Sequence, residues 1–509
     1  MRILLVNPAM RASFWTYSEV QDITGCPGYM PNIALPTLAA LTPNDVEITI
    51  VDETVQPIDY DQPWDLVGIT GYITQKRRMF NIADEFRRRG QLVAIGGPYA
   101  SLSPATVRPH ADILFIGEAE KTWPEFLADF RTGNWKNEYR TSEPVDIQSS
   151  PLPDVSKLKP GTYAMGVIQT SRGCPFECEF CDVIVYLGRK QRHKTPEQVV
   201  QELEQLHQAG YRHVFLADDN FTVNRRKAAD LMTAVAAWNR RQAEPISFST
   251  QLSIDVARDQ DNALLDLCAE AGLQQAFIGI ETPNQDALRE VKKRQNLRSN
   301  LVADVHKVQS RGIMVAAGMV CGFDADTTDS FRAQYEFAQQ AGVPIVAVSL
   351  LNAPEGTPLE KRLFSEHRLK PILTVDDGFF DTNIIPKRMT NQQLLDGTHW
   401  LVNKLYAPEA FLERIRVLAG NLPSSTPRRH APRQAVLRVE GILKSYERMG
   451  PAFQNLPREA VKFFRKKDSS GLGGALMFYK NIMCVLQKWG VWNPALAQRE
   501  EPDFAATTP

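Results

Sequence analysis

Three cysteines that lie close together are the residues best suited to carry chemistry. Cys174, Cys178 and Cys181 have the spacing C-x3-C-x2-C within the segment Ser-Arg-Gly-Cys-Pro-Phe-Glu-Cys-Glu-Phe-Cys that begins at Ser171. Thiolates are the usual protein ligands of iron–sulfur clusters. A [4Fe–4S] cluster needs a ligand for each of its irons, and no fourth cysteine lies nearby. The spacing therefore predicts a cluster with one iron open to a ligand that the protein does not supply.

The alternative for the same thiols is a zinc site. Structural zinc usually has four protein ligands, drawn from Cys and His, and the next histidine, His193, lies beyond an apolar segment in a basic stretch. We therefore favour iron–sulfur. An apolar run at residues 164–170, typical of a buried strand, precedes the cysteines. A helix follows them, because Thr195 and Gln198 flank Pro196 with the pattern of a capping box.

The cysteine spacing, with the aromatic residue Phe180 just before the last cysteine, resembles the signature of radical S-adenosylmethionine (SAM) enzymes. The resemblance implies that SAM chelates the open iron and that the fold is a partial (β/α)6 barrel. Alternating apolar strands and helices over residues 161–370 also favour such a barrel, with its site at the carboxyl ends of the strands. Strands are predicted at 213–217, 246–252, 276–280, 314–320 and 345–351.

Residues near the ends of these strands are the candidates for contacts with SAM. The candidates are Phe180, Asp218, Asp219, Ser249, Glu281 and Gly318. The resemblance implies that an aspartate meets the amino group of SAM, that Glu281 meets the ribose and that Gly318 and Phe180 lie beside adenine. The alternative is a structural role, in which Asp218 or Asp219 caps a helix and Glu281 pairs with an arginine. The sequence does not decide between Asp218 and Asp219.

Residues 1–135 alternate between short apolar runs and segments long enough for helices. The runs at 3–6, 46–51, 66–69, 92–95 and 113–116 are typical of parallel strands covered on both faces. A doubly wound, flavodoxin-like sheet binds its ligand at the carboxyl ends of its strands, and glycines there let the backbone approach a large flat ligand. The candidate residues in those loops are Gly71, Tyr72, Gly96, Gly97, Gly117 and Glu118.

Placed before the cysteine motif, this region resembles the cobalamin-binding module of cobalamin-dependent radical SAM enzymes. No G-x-G-x-x-G follows the first strand, which argues against a nicotinamide dinucleotide. Many cobalamin proteins carry D-x-H-x-x-G, whose histidine coordinates cobalt. The first 109 residues contain no histidine, and His110 lies in a segment that does not match. We therefore expect that histidine does not ligate the lower face of cobalamin.

Residues 136–160 are rich in proline and serine and lack periodicity, which indicates a linker. Helical periodicity replaces the alternation over residues 371–509. The segments 382–390 and 405–408 resemble a C-terminal helical domain in a radical SAM subgroup that includes the hopanoid 2-methylases. The basic tail contains apolar stretches at 472–479 and 482–492. We prefer to interpret it as a helical cap on the barrel, and the alternative is an interfacial helix on anionic lipid.

Length and composition limit the class of protein. A chain of 509 residues is too long for one core and indicates about three domains. The net charge of −1 offers no argument for nucleic acid as a partner. Seven cysteines, three of them clustered, fit a reducing cytosol. Because no signal peptide or long apolar segment is present, we expect a cytoplasmic protein that at most attaches to a membrane surface.

These features predict an enzyme. The resemblance implies a C-methyltransferase acting on an unactivated carbon of a small molecule or a lipid such as a hopanoid. It would use a 5′-deoxyadenosyl radical from SAM and the [4Fe–4S] cluster, and a methyl group from methylcobalamin. It also implies an electron donor such as flavodoxin or ferredoxin. The alternatives are a cobalamin-assisted cyclase or oxygenating enzyme of the anaerobic chlorophyll-cyclase type, and an inactive sensor that binds cobalamin and SAM. No residue stands out as a catalytic acid or base.

Overall fold

A computed structural model describes residues 1–259, 261–297, 300–370, 380–424, 433–464, 467, 471–502 and 504. Over this part of the chain, two six-stranded parallel sheets are followed by a helical C-terminal region. This is the predicted α/β architecture.

The first sheet lies in the N-terminal quarter of the chain. Its strands are β1 (Arg2–Asn7), β2 (Glu47–Asp52), β3 (Leu66–Thr70), β4 (Val93–Gly96), β5 (Ile113–Ile116) and β6 (Glu138–Arg140). They are all parallel, in the order β2-β1-β3-β4-β5-β6. The order reverses between β1 and β3, where a doubly wound sheet leaves a crevice at the carboxyl ends of its strands. The flavodoxin-like sheet is thus confirmed.

Helices cover both faces of this sheet, as the continuous apolar runs predict. Helix α1 (Gln21–Thr24) lies apart from the sheet, with Ile23 beside Gly441 of the C-terminal region. The covering helices are α2 (Ala34–Ala40), α3 (Lys76–Arg88), α4 (Pro98–Leu102), α5 (Pro104–Val107) and α6 (Ala119–Thr132). On one face, Ile82 and Phe86 of α3 pack on Val67 of β3. On the other, α2 and α6 pack on β1 and β5 through Leu35 and Phe126.

The span predicted as a linker contains the strand β6. The ring of Tyr139 lies 5.5 Å from the ring of Phe115, and its hydroxyl donates to Asp129 at 2.8 Å. Periodicity did not indicate this strand because an edge strand of three residues buries a single side chain.

The second sheet and its helices form the partial barrel. Its strands and the adjoining hairpin strands are β7 (Gly166–Ile168), β8 (Ser171–Arg172), β9 (Arg192–His193), β10 (His213–Leu216), β11 (Ser247–Gln251), β12 (Leu273–Glu281), β13 (Met314–Cys321) and β14 (Ile345–Leu350). The sheet order is β7-β10-β11-β12-β13-β14, and all pairs are parallel, whereas β8 and β9 form a separate antiparallel hairpin. Six parallel strands in chain order confirm the (β/α)6 prediction.

The helices of this region are α7 (Val183–Tyr186), α8 (Pro196–Gln208), α9 (Arg225–Asn239), α10 (Ala263–Ala271), α11 (Gln285–Glu290), α12 (Leu301–Gln309), α13 (Ser330–Ala341) and α14 (Pro358–Ser365). The capping box at the start of α8 is present. Gln198 N donates to Thr195 Oγ1 at 3.2 Å, and Thr195 N donates to Gln198 Oε1 at 2.9 Å.

The C-terminal region consists of α15 (Asn391–Tyr406), α16 (Pro408–Asn421), α17 (Arg433–Arg448), α18 (Leu456–Phe463), α19 (Leu472–Lys488) and α20 (Pro494–Gln498). The apolar stretch at 472–479 and most of the one at 482–492 form α19, whose apolar side chains are buried. Tyr479 of α19 donates its hydroxyl to the carbonyl of Tyr406 at 2.9 Å. An interfacial role for α19 is therefore wrong, because its apolar surface is already covered by protein. The basic residues 428, 429, 465 and 466 lie outside the described residues.

Helix α19 also holds the segment that follows β1. Lys480 pairs with Asp22 at 2.6 Å, and the Trp489 indole, just after α19, donates to the carbonyl of Ala12 at 3.0 Å. In the segment held by these two contacts, Trp15 lies against Phe277 of the barrel, with ring centroids 5.1 Å apart. Within the described residues, none of the helices has the length and apolar character needed to cross a membrane.

Candidate active site

The carboxyl ends of both sheets open onto one cavity of about 760 Å³. Twelve of the fifteen predicted site residues line this cavity: Tyr72, Gly96, Gly97, Gly117, Glu118, Cys174, Cys178, Phe180, Cys181, Asp218, Asp219 and Glu281. The two groups of loops that the sequence associated with two different ligands thus border the same space.

Three predicted residues are not among those that line the cavity. Gly71 faces Met79, whose Sδ would lie 3.2 Å from an added Cβ. Gly318 lies beneath Phe277, with 2.9 Å between an added Cβ and the ring, so Gly318 makes room for the ring that lines the cavity. Ser249 lies two residues before the carboxyl end of β11, and Gln251 at that end lines the cavity in its place. Residues i and i+2 share a strand face, and the later one is nearer the carboxyl end.

The three cysteines lie on the wall next to the barrel. Burial raises the pKa of the Cys174 thiol and raises that of Cys181 to about 12, so coordination to a metal is what would make them thiolates. In the part of the chain that the structure describes, no three His, Cys, Asp or Glu side chains, these cysteines included, are grouped to hold a single metal ion. This argues against the zinc alternative. Three thiols that border a large cavity are better suited to a larger iron–sulfur cluster with one side open.

The two aspartates after β10 hold the start of the cysteine loop. Asp218 is buried and accepts from the backbone N–H groups of Thr170 and Ser171 at 2.7 and 2.9 Å, and from the Thr170 hydroxyl. Asp219 accepts from Gly173 N at 2.8 Å, and burial raises its pKa to about 6. The carboxylate of Asp218 is therefore committed to the backbone that precedes the cysteines.

Glu281 ends β12 with a positive φ of 63°, which is unusual for a residue other than glycine. Its Oε1 accepts from Lys293 Nζ at 2.7 Å, and both side chains are largely buried. Gly279 makes room for the pair, since an added Cβ would lie 2.9 Å from Lys293 Nζ. The structural alternative for Glu281 is thus partly correct, with lysine in place of arginine, although Glu281 also lines the cavity.

Three amide side chains present unpaired oxygens in this cavity wall. Asn220 Oδ1, Gln295 Oε1 and Asn296 Oδ1 are buried and accept no hydrogen bond from the residues that the structure describes. Buried polar atoms nearly always have a partner, so these oxygens indicate a polar ligand with donors. Gln295 Nε2 also donates to Cys178 Sγ at 3.4 Å, and Asn296 Nδ2 donates to the carbonyls of Gly279 and Ile280 at 2.9 Å.

Lys293, Gln295 and Asn296 are functional candidates that sequence reasoning missed. They lie after α11, well beyond the end of β12, so the rule that site residues follow strands did not find them. The signal available was the polar run at residues 292–296.

On the side of the first sheet, the wall is shaped by glycines. Gly97 has a φ of +90°, and an added Cβ would overlap Thr70 Oγ1. The cavity also extends behind the strands, where Gly68 and Ala94 leave space beside Leu38 of α2 and Trp123 of α6. None of the described residues that line the cavity is a histidine.

Glu118 borders the cavity, but its carboxylate is engaged within the protein. It accepts from Arg172 at 2.8 Å, from Arg192 at 2.7 Å and from Val145 N at 2.9 Å. Glu118 thus forms an ion-pair contact between the loop after β5 and the hairpin β8–β9, and its predicted contact with a ligand stays a prediction. The sequence did not indicate this because both arginines are far from Glu118 along the chain.

Comparison with known proteins agrees with this geometry. Residues 168–338 match the radical SAM superfamily, and residues 357–454 match a domain of unknown function, DUF4070. An uncharacterized methyltransferase of Synechocystis sp. is 34% identical over 422 residues, 81% of this chain and 78% of that protein. The hopanoid C-2 methylase of Rhodopseudomonas palustris is 31% identical over 444 residues, 84% of this chain and 82% of that protein.

Two further similarities are more distant. An anaerobic magnesium-protoporphyrin IX monomethyl ester cyclase of Synechocystis sp. is 29% identical over 43% of this chain and 47% of that protein. The structure of the cobalamin-dependent SAM radical enzyme OxsB, with aqua-cobalamin and SAM bound, has a TM-score of 0.60 at 15% identity, covering 96% of this chain and 80% of that one. At this identity the structural similarity concerns the fold.

The extent and level of identity to the two methyltransferases, together with the match over the cysteine loop and barrel, lead to one assignment. The chain belongs to the radical SAM enzymes, in the family of methyltransferases that includes the hopanoid C-2 methylase.

Proposed function

We propose that this protein is a cobalamin-dependent radical SAM C-methyltransferase that acts on an unactivated carbon of an uncharged, apolar small molecule such as a hopanoid-type lipid. The observation that carries the proposal is the shared cavity, where the cysteine loop of the barrel and the glycine loops of the first sheet face each other. That arrangement lets two cofactors act on one substrate.

The residues of the cavity fit these cofactors. Cys174, Cys178 and Cys181 would hold the [4Fe–4S] cluster. The free donors of SAM would meet Asp219 and the unpaired oxygens of Asn220, Gln295 and Asn296, with Glu281 near the ribose and Phe180 near adenine. We choose Asp219 over Asp218 because both carboxylate oxygens of Asp218 accept hydrogen bonds from residues 170 and 171, whereas Asp219 accepts from Gly173 N through one oxygen.

Tyr72, Gly96, Gly97 and Gly117 would border cobalamin, and the extension of the cavity behind the first sheet would take its nucleotide arm. No histidine is proposed as a lower ligand. When bound, the cluster and SAM supply hydrogen-atom abstraction, and cobalamin supplies the methyl group.

The protein's own part is to orient these groups and to exclude water. Met10, Met30, Val183 and Phe277 give the cavity apolar wall, which keeps solvent away from reactive species. The buried amides and carboxylates fix the polar ends of the ligands.

Charge on the cavity wall supports an uncharged substrate. Among the described lining residues, each cation has an internal partner: Arg172 pairs with Glu118 and Glu120, Lys194 with Glu202, and Lys293 with Glu281. A substrate carboxylate would find no free cation there, and burying it unpaired is costly. An apolar lipid substrate would reach the enzyme from a membrane, so peripheral membrane contact and a cytoplasmic flavodoxin or ferredoxin as electron donor belong to the proposal.

The test is anaerobic turnover of reconstituted protein. It would be supplied with cobalamin, a reductant, SAM carrying a deuterated methyl group, and lipid extracted from cells that lack the gene. We expect 5′-deoxyadenosine and a lipid that gains one labelled methyl group, and neither from the variant with all three cysteines changed to alanine. A product that loses hydrogens or gains oxygen would favour the cyclase or oxygenase alternative. A folded, cluster-loaded protein that forms no 5′-deoxyadenosine would favour the sensor.

A further inference from the structure

A glutamate within the cysteine motif is anchored by α14, the helix that follows the last strand of the second sheet. Glu179 lies between Cys178 and Phe180, and its side chain is 8% exposed. Its Oε1 accepts from Arg362 Nε at 2.9 Å. Arg362 is on α14, at the start of the segment that matches the domain of unknown function. The cysteine loop is thus tied to a region about 180 residues further along the chain.

Arg362 is itself held by a partly buried ion-pair network. Its Nη1 lies 2.7 Å from Asp324 in the loop after β13, and Arg368 donates to the other oxygen of Asp324 at 2.6 Å. Glu366 pairs with both arginines, at 3.1 and 2.8 Å. Two guanidinium groups held between three carboxylates are rigid, because each bond fixes the plane of the arginine.

The backbone and the apolar contacts reinforce the same attachment. Glu179 N donates to Val291 O at 2.9 Å, and Leu359 N of α14 donates to Glu179 O at 3.0 Å. Leu359 and Leu363 of α14 belong to a buried cluster against which Phe180 packs. The stretch between Cys178 and Cys181 is therefore fixed by the end of α11, by the loop after β13 and by α14.

We propose that α14, which begins the segment of unknown function, positions the cluster-binding loop, with Arg362 and Glu179 as positioning residues that set how Cys178 and Cys181 are presented to the cluster. The second oxygen of Glu179 is buried and accepts no hydrogen bond from any described part of the chain. Loss of Arg362 would therefore leave a buried carboxylate without compensation, and the loop would relax toward solvent, carrying its cysteines with it. This role does not depend on the substrate or on methylation.

The test compares Arg362→Leu with Arg362→Lys, Glu179→Gln and the Glu179→Gln/Arg362→Leu double variant. The matched control is Arg416→Leu, in the same segment, because Arg416 forms an exposed pair with Glu413. Each protein is reconstituted anaerobically with iron and sulfide. The measurements are the rate of iron loss to a chelator, the electron paramagnetic resonance spectrum and the midpoint potential of the reduced cluster, and the melting temperature of the metal-free protein.

We expect Arg362→Leu to lose iron about tenfold faster or more, as when outer partners of metal ligands are removed, with a changed spectrum and potential. Arg362→Lys should retain iron better than Arg362→Leu, and the double variant should lose iron more slowly than Arg362→Leu. Arg416→Leu should have the iron retention, spectrum and potential of the wild type.

A folded Arg362→Leu with wild-type iron retention, spectrum and potential would overturn the proposal. If Arg362→Leu does not fold, wild-type values in both Arg362→Lys and Glu179→Gln would overturn it. None of these measurements needs substrate, so their outcome can be distinguished from a failure of the proposed methylation.

Discussion

Nη1 of Arg192 lies 2.8 and 2.7 Å from the two carboxylate oxygens of Glu118, 74 residues earlier in the chain. This bond fastens the hairpin beside the cysteine loop to the loop after β5 of the first sheet. Because the facing loops line one cavity, the spacing between the proposed cofactor sites depends on this contact.

The substitution Glu118→Gln tests how much this contact contributes to the stability of the fold. The side chains of Glu118 and Arg192 are 6% and 10% exposed, and breaking a buried pair by removing one charge costs about 3 kcal/mol or more. We expect a fall of this size in the free energy of unfolding, measured by urea denaturation. Glu138→Gln, which breaks a more exposed pair with Arg108, should have little effect. An equal effect of the two substitutions would contradict a special role for Glu118.

Gln295→Leu should lower the reduction potential of the cluster. The Gln295 amide donates to Cys178 Sγ at 3.4 Å, and hydrogen bonds to cluster sulfurs stabilise the reduced state. Loss of about 1 kcal/mol corresponds to a shift on the order of 40 mV for one electron. A titration followed by electron paramagnetic resonance would measure it, with exposed Gln201→Leu as control. A potential that stays unchanged would show that the sulfur contact is not made in the loaded protein.

Gly97→Ala should weaken cobalamin binding by about tenfold or more, equivalent to about 1.4 kcal/mol. The added methyl would overlap Thr70 Oγ1 at a φ of +90°, which pushes apart the loops after β3 and β4. Gly90→Ala is the matched control, because Gly90 has a φ of +77° and no atom of the described chain lies within 4 Å of an added Cβ. The Gly90→Ala variant has the same kind of backbone strain, about 1–2 kcal/mol, without a steric overlap. Spectroscopic titration with cobalamin would compare the two, and equal affinities would argue against a ligand at Gly97.

The pairing of every described lining cation predicts a preference for uncharged substrates. Betulin and betulinic acid share a pentacyclic skeleton and differ by an alcohol and a carboxylate. We expect the reconstituted enzyme to bind betulin at least about tenfold more tightly, since a buried neutral polar group left unpaired costs about 1–3 kcal/mol and an unpaired carboxylate costs more. Glu202→Gln removes the partner of Lys194, so this substitution should reduce the difference in affinity between betulin and betulinic acid. Calorimetric titration would measure both, and equal affinities in the wild type would contradict an uncharged-substrate site.

The sequence by itself determined the features that depend on neighbouring residues. The spacing of Cys174, Cys178 and Cys181 is local, so the sequence alone is enough to predict the cluster-binding loop. Short runs of Val and Ile identified the parallel strands, and the residues after them located most of the cavity wall. The capping box at Thr195 placed the start of α8, because a cap involves residues three positions apart.

Only the tertiary structure decided the partners of the charged residues. It showed that Asp218 is committed to the backbone, that Glu118 pairs with two arginines and that Lys293, Gln295 and Asn296 reach the cavity from a loop beyond α11. It also joined Glu179 to Arg362. Periodicity and spacing describe one element at a time, whereas an ion pair or hydrogen bond between distant residues depends on how the elements pack. These long-range partners show which polar side chains are free to bind a ligand and which hold the fold together.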